Sequence, residues 1–265
     1  MEFNRIERKI ERPPAAHNVA GLLDPSCEIK TTNNIARFAV SIPAFNYISG
    51  MTVCKDRVAL GIDLETGLKA VENAGAPAGR EQNASLVRAF FEYDKDRGYS
   101  KLRVVDSYEG QFRISRKIWV PTIPTFTVLE HGKQVPVVAC GWKKFSLRRD
   151  QIRAWLTMLD SGLFSYADYR KSPWEVLLLP ECEDGGGREA VCIRPGEYEL
   201  FSESDMRELA AMYARAQIAA MPIAREIWER REVKRRERDR SEAPSTKSEI
   251  DPTIRDLFAR DDEDD

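Results

Sequence analysis

LRVVDSYEGQFRISRKIWVPTIPTFTVLEHGKQVPVVAC, residues 102–140, carries the strongest β signal in the chain. Apolar and β-branched residues gather at 102–105, 112–120, 125–129 and 135–140. Turn formers separate them: Tyr108-Glu109-Gly110, the prolines of 121–124, and His131-Gly132-Lys133. Connections this short force antiparallel neighbours, because a parallel crossover needs a dozen or more residues. The stretch therefore predicts an antiparallel sheet.

Downstream the period changes from two to about 3.6. Ser146 is placed as an N-cap, Ile152, Trp155, Leu156 and Leu159 form an i, i+3, i+4, i+7 stripe, and Gly162 is placed to end the helix, which the pattern puts at 147–160. Residues 173–180 form a buried-type strand bounded by prolines, and the glycine loop 184–187 turns it into a second run, 189–193. Ser202 and Asp205 stand in a capping-box relation. Met206, Leu209, Tyr213, Ala216, Ala220, Ile223 and Ile227 then repeat at steps of three or four, which predicts a helix over 204–228 with a kink or break at Pro222.

Upstream the chain reads mostly as strands and loops. Pro13-Pro14 closes a charged first segment. Ile35, Phe38, Val40 and Ile42 come close to alternation and predict a strand over 35–45. Residues 51–54 and 58–64 read as a hairpin and 73–83 as a mobile connection, after which Asn83 or Ser85 caps a short helix carrying Leu86, Val87, Phe90 and Phe91. The predicted class is α+β: a largely antiparallel sheet packed by two or three helices, with a C-terminal helix and a disordered acidic tail. The predicted divisions are a charged arm (1–14), one α+β domain (15–228), a basic helical extension (229–240) and the tail (241–265).

Of the 265 residues, 41 are basic and 43 acidic, and the near balance hides a separation. Residues 241–265 hold nine acids against three bases, a net of −6, which leaves +4 for the rest. Such segregation bears on partners and solubility. The tail has too little apolar surface to offset its ordering entropy. No run approaches the roughly 20 apolar residues of a bilayer-crossing helix, so no membrane association is expected. Five cysteines, odd in number and without a C-x-x-C pair, fit a reducing, cytoplasmic setting. With only His17 and His131 beside them, no metal site is expected.

Two short carboxylate motifs invite a catalytic reading. Glu28-x-Lys30, read as a strand, would put a carboxylate and an ammonium on one face, with Asp24 nearby. These residues resemble the E-x-K element of the PD-(D/E)XK nucleases, although Asp24 precedes Glu28 by only four positions. The resemblance implies Mg²⁺-dependent phosphodiester cleavage. Asp63-Leu64-Glu65-Thr66 is similar to the D-x-E-T element of the proofreading-type exonucleases, which implies two metal-binding carboxylates, Asp63 and Glu65. A cross-strand or solvated Glu–Lys pair accounts for the first motif without any chemistry, and a turn-flanked strand pair accounts for the second.

Binding signals point elsewhere. Lys143, Lys144, Arg148, Arg149 and Arg153 lie on or beside the 147–160 helix. Arg170 and Lys171 follow on a second short helical segment with Tyr166 and Tyr169, an arrangement compatible with a helix-turn-helix. Seven bases, including Arg230, Arg231, Lys234 and Arg235, crowd 229–240, where the apolar stripe disappears. The expected function is non-catalytic docking on nucleic acid or on a protein partner through these basic surfaces, without a cofactor. The Mg²⁺-dependent nuclease is the alternative.

Overall fold

The computed structural model describes residues 3–242 of the chain. They divide into two units, one ending at Arg225 and the other beginning at Glu226. The first unit opens with helices: α1 (Phe3–Glu11), α2 (Ala16–Leu22), α3 (Glu28–Val40), α4 (Ile48–Leu60), α5 (Leu64–Asn73) and α6 (Arg80–Arg97). The strands follow: β1 (Arg103–Val105), β2 (Gly110–Arg113), β3 (Trp119–Thr122), β4 (Phe126–Glu130) and β5 (Lys133–Cys140). Helix α7 (Arg149–Leu159) and a π turn (Asp160–Phe164) lead to β6 (Glu175–Leu178), β7 (Val191–Ile193) and α8 (Glu203–Glu242).

The class is α+β, as the 102–140 stretch predicts. Five strands pair in the order β1-β4-β5-β6-β7, all antiparallel except β5 with β6, and β2 with β3 forms a separate hairpin. The parallel pair is joined through α7, the long crossover such a pair requires. The β4–β5 turn falls at His131 and Gly132, both with positive φ (49° and 74°). That is the backbone of a tight two-residue hairpin turn. The read strand 112–120 is instead split: Ile114 and Ser115 donate to the Ile118 carbonyl, so the chain reverses where Arg116 and Lys117 can stay in water.

The first hundred residues correct the sequence reading most. Residues 35–45 are not a strand. Thr31, Thr32, Ile35, Ala36, Ala39 and Val40 are buried on one face of α3, a 3.6-residue period that the alanines complete. The 51–64 hairpin is likewise helical. Gly50, Val53, Cys54 and Val58 face inward on α4, Gly61 ends it in the left-handed region (φ 67°), and Asp63 opens α5. Asn83 does not cap α6 but lies buried within it; its Oδ1 accepts from Gly50 N at 2.9 Å where α4 and α6 cross. The read connection 73–83 holds a short 3₁₀ turn, Pro77–Gly79, before α6.

α4, α5 and α6 cover one face of the sheet through Val53, Val71, Leu86, Phe90, Tyr99, Phe126, Val135 and Leu177. The guanidinium of Arg97, at the end of α6, clamps the sheet. Nη1 and Nη2 donate to both oxygens of Glu130 (2.9 and 2.7 Å), and Nε donates to Glu175 Oε1 (3.0 Å). In α1, Ile6 and Ile10 are buried, and that helix packs on α3.

Three further expectations change. The N-cap of α7 is Arg148, whose backbone N–H donates to Gln151 Oε1 at 3.0 Å; Ser146 is not the cap. No second helix follows α7: the π turn leads into turns in which Lys171 takes a positive φ of 68°. α8 passes through Pro222 without breaking, on a side where Ile218, whose carbonyl loses its partner, faces water. Of the expected tail, 241–265, the first two residues end α8 and the rest lies outside the described residues. No helix among the described residues is long and apolar enough to cross a membrane.

Candidate nucleic-acid interface

Glu28 and Lys30 lie on a helix, not a strand, so they point about 160° apart around α3. Asp24 organises the turn before that helix. Its carboxylate accepts from Ser26 Oγ (2.6 Å) and Ser26 N (3.1 Å), and its own N–H donates to Thr31 Oγ1 (2.8 Å). The Ser26 bonds, aided by Arg148 and Lys30, hold the Asp24 carboxyl below the usual range. Glu28 turns away to Arg215 Nη2 at 2.8 Å, while Lys30 is exposed 3.7 Å from Asp24.

The D-x-E-T residues are a helix start. Asp63 is the N-cap of α5, with Oδ1 accepting from Thr66 N at 2.8 Å, and this bond lowers its pKa. Glu65 pairs with Lys69 one turn on, at 2.7 Å. No cluster of three or more His, Cys, Asp or Glu among the described residues could hold a metal ion.

The basic loop before α7 is built on an aromatic cluster. His17 meets Trp142 edge-on at 5.3 Å and Trp155 at 5.8 Å, and Phe145 lies 6.5 Å from each tryptophan. Gln151 Nε2 ties the start of α7 to the Leu23 carbonyl at 2.7 Å. Most cations here are committed within the fold. Lys143 pairs with Glu181 (2.8 Å), and Arg148 with Asp150 (3.3 Å) and Asp24 (3.5 Å). Arg153 lies 4.3 Å over Phe201 and donates to the Glu199 carbonyl. Lys144 and Arg149 are exposed, with no ion-pair partner among the described residues. Arg170 donates to the Ser165 carbonyl, and Tyr169 is buried, its hydroxyl close to Thr127 Oγ1; with turns in place of a second helix, no helix-turn-helix is formed here.

The same cluster makes stability depend on pH. Burial lowers the His17 pKa to about 4, and Asn18 Nδ2 lies 2.9 Å from its Nε2, which suits the neutral ring. The unfolded chain binds a proton near pH 6.5 while the folded chain does so only near pH 4. Stability is therefore full above pH 6.5 and falls on acidification through that window, by at most about 3 kcal/mol. Urea midpoints of wild type against His17→Gln should diverge between pH 6.5 and 4. Parallel curves would remove His17 as the cause.

The second unit carries its charge differently. Arg230, Arg231, Lys234, Arg235, Arg236 and Arg238 are all exposed on the helix. At 100° per residue, Arg230, Lys234, Arg238, Arg231 and Arg235 fall within an arc of about 140°, while Glu226, Glu229, Glu232, Glu237 and Arg236 lie outside it. Glu226 pairs with Arg230, and Glu232 with Arg235 at 2.9 Å. These side pairs support an exposed helix, and the bases still form one continuous stripe. A tally of charges carries no such phase; the helical period of 230–238 does.

Comparison with protein-family models, curated proteins and solved structures returns no match.

Proposed function

We propose that the chain is a non-catalytic binding protein that docks on nucleic acid through the stripe of Arg230, Arg231, Lys234, Arg235 and Arg238. The observation that carries this reading is the one-sided placement of five exposed bases on a helix. A phosphate backbone presents closely spaced negative charge, and each neutralised phosphate releases a counterion. Scattered charge would serve solubility equally well, whereas a stripe meets a linear polyanion along its length. The loop cations Lys144 and Arg149 offer a second, smaller basic surface.

The test compares two variants on the same helix against a fluorescein-labelled duplex DNA. Arg231→Glu/Arg235→Glu, inside the stripe, should weaken binding at low salt by about tenfold or more, since each lost contact is replaced by repulsion. Arg236→Glu, outside it, should cost much less. Equal losses per charge would mean that net charge alone drives binding. Absence of binding at low salt would exclude nucleic acid and leave a protein partner.

A further inference from the structure

A second site lies in the first unit, far from this chemistry in kind. The π turn Asp160–Phe164 is pressed onto β2, because Gly110 and Gly162 meet backbone to backbone: a Cβ on Gly110 would overlap the Gly162 carbonyl oxygen, and one on Gly162 would sit 2.9 Å from Phe112 N. π turns interrupt a helix at an energetic cost and are frequent at functional sites. Here the turn carries Asp160 to a cavity of about 400 Å³ between α7, the hairpin and the start of α8. Phe112, Ile114, Phe201, Met206 and Ala210 supply its apolar walls.

Asp160 is half-buried and has no side-chain hydrogen bond or ion pair among the described residues. Burial raises the pKa of its carboxyl. The other charged groups of the cavity are occupied. Glu203 and Arg207 pair with each other at 2.6 Å. Arg113 lies over the Trp119 ring at 5.4 Å and donates to the Ser115 carbonyl. The Thr157 hydroxyl donates to the Arg153 carbonyl and accepts from Phe201 N. An isolated, partly desolvated carboxylate beside aromatic and aliphatic walls matches one ligand chemistry: a cationic head on an apolar body.

We propose that this cavity binds a small organic cation, an alkyl- or arylammonium, with Asp160 as its counter-ion. The cation restores the charge partner that the fold withholds from Asp160, and the rings and Met206 cover the apolar part.

Benzyltrimethylammonium and phenylacetate, similar in body and opposite in charge, are titrated into the full chain and followed by saturation-transfer NMR. The ammonium should bind at least about tenfold more tightly than the carboxylate, and Asp160→Asn should weaken it by about fivefold or more. Glu203→Gln should leave its affinity within about twofold, since that charge already has a partner. Ala211→Trp, at an exposed position on the rim, should block the cavity without disturbing the core, and tests the site should Asp160→Asn fail to fold. Equal binding of phenylacetate, unchanged affinity in Asp160→Asn or Ala211→Trp, or no ammonium binding would each overturn the proposal.

Discussion

Arg97→Met should destabilise the protein by about 3–5 kcal/mol, a fall of roughly 10 °C in Tm for a chain of this size. The guanidinium serves two carboxylates from different strands: Glu130 at the end of β4, through a bidentate pair, and Glu175 at the start of β6. It also lies 4.7 Å over the ring of Tyr99, whose hydroxyl donates to Glu175. The Glu175 side chain is 7% exposed and that of Arg97 15%. Without Arg97, Glu175 keeps the Tyr99 bond and the more distant Arg194 (3.8 Å), too little to offset the desolvation of its charge.

A second variant separates this cause from simple loss of packing. Removing the charge as well, in Arg97→Met/Glu175→Gln, should recover much of the loss, because a buried ion pair replaced on both sides is often nearly neutral. Guanidinium midpoints of the three proteins decide. If the double variant is no better than the single one, the Arg97 stem and not its charge holds α6 to the sheet.

Gly110→Ala should cost about 3 kcal/mol or more, the upper range for forcing a methyl group into a packed site. The added Cβ would meet the Gly162 carbonyl oxygen and Thr122 Oγ1, and the first of these is backbone that cannot rotate away. The φ of Gly110 is not positive, so the penalty is steric and not conformational. Gly185→Ala gives the contrast. There φ is 74° and nothing lies within contact of a Cβ, so the cost should be the left-handed penalty alone, about 1 kcal/mol. Comparable losses at the two sites would show that the hairpin yields to the turn, and that the cavity at Asp160 is not held by this contact.

What the sequence showed clearly was the sheet. Turns such as His131-Gly132 leave a chain few alternatives, and the period-two runs around them are dominated by branched and aromatic residues. The helical first third hid because its buried faces are made of Thr31, Ala36, Ala39, Gly50 and Cys54, small residues that contribute little to an apolar pattern yet let helices approach closely. Without them, Ile35, Phe38, Val40 and Ile42 imitate a strand. The carboxylate motifs misled for a related reason. Asp63 caps a helix, where an aspartate satisfies a free backbone N–H, and Asp24 closes the turn that leads into one; Thr66 and Pro25-Ser26 were the signals of those roles. The bases of 230–238 were legible as residues but not as a stripe. The Asp160 cavity could not be read at all, since its walls come from residues 112–114, 157–161 and 200–211 and meet only in the folded chain.

Docking of α8 on nucleic acid is measured most directly by the salt dependence of binding to a short duplex DNA, in wild type and in Arg231→Gln/Arg235→Gln. Five stripe contacts predict that the logarithm of affinity falls with the logarithm of salt concentration at a slope of about −4.5, and that the double variant reduces its magnitude by about 2. A slope near zero, or one that the two substitutions leave unchanged, would contradict docking of the helix on a phosphate backbone.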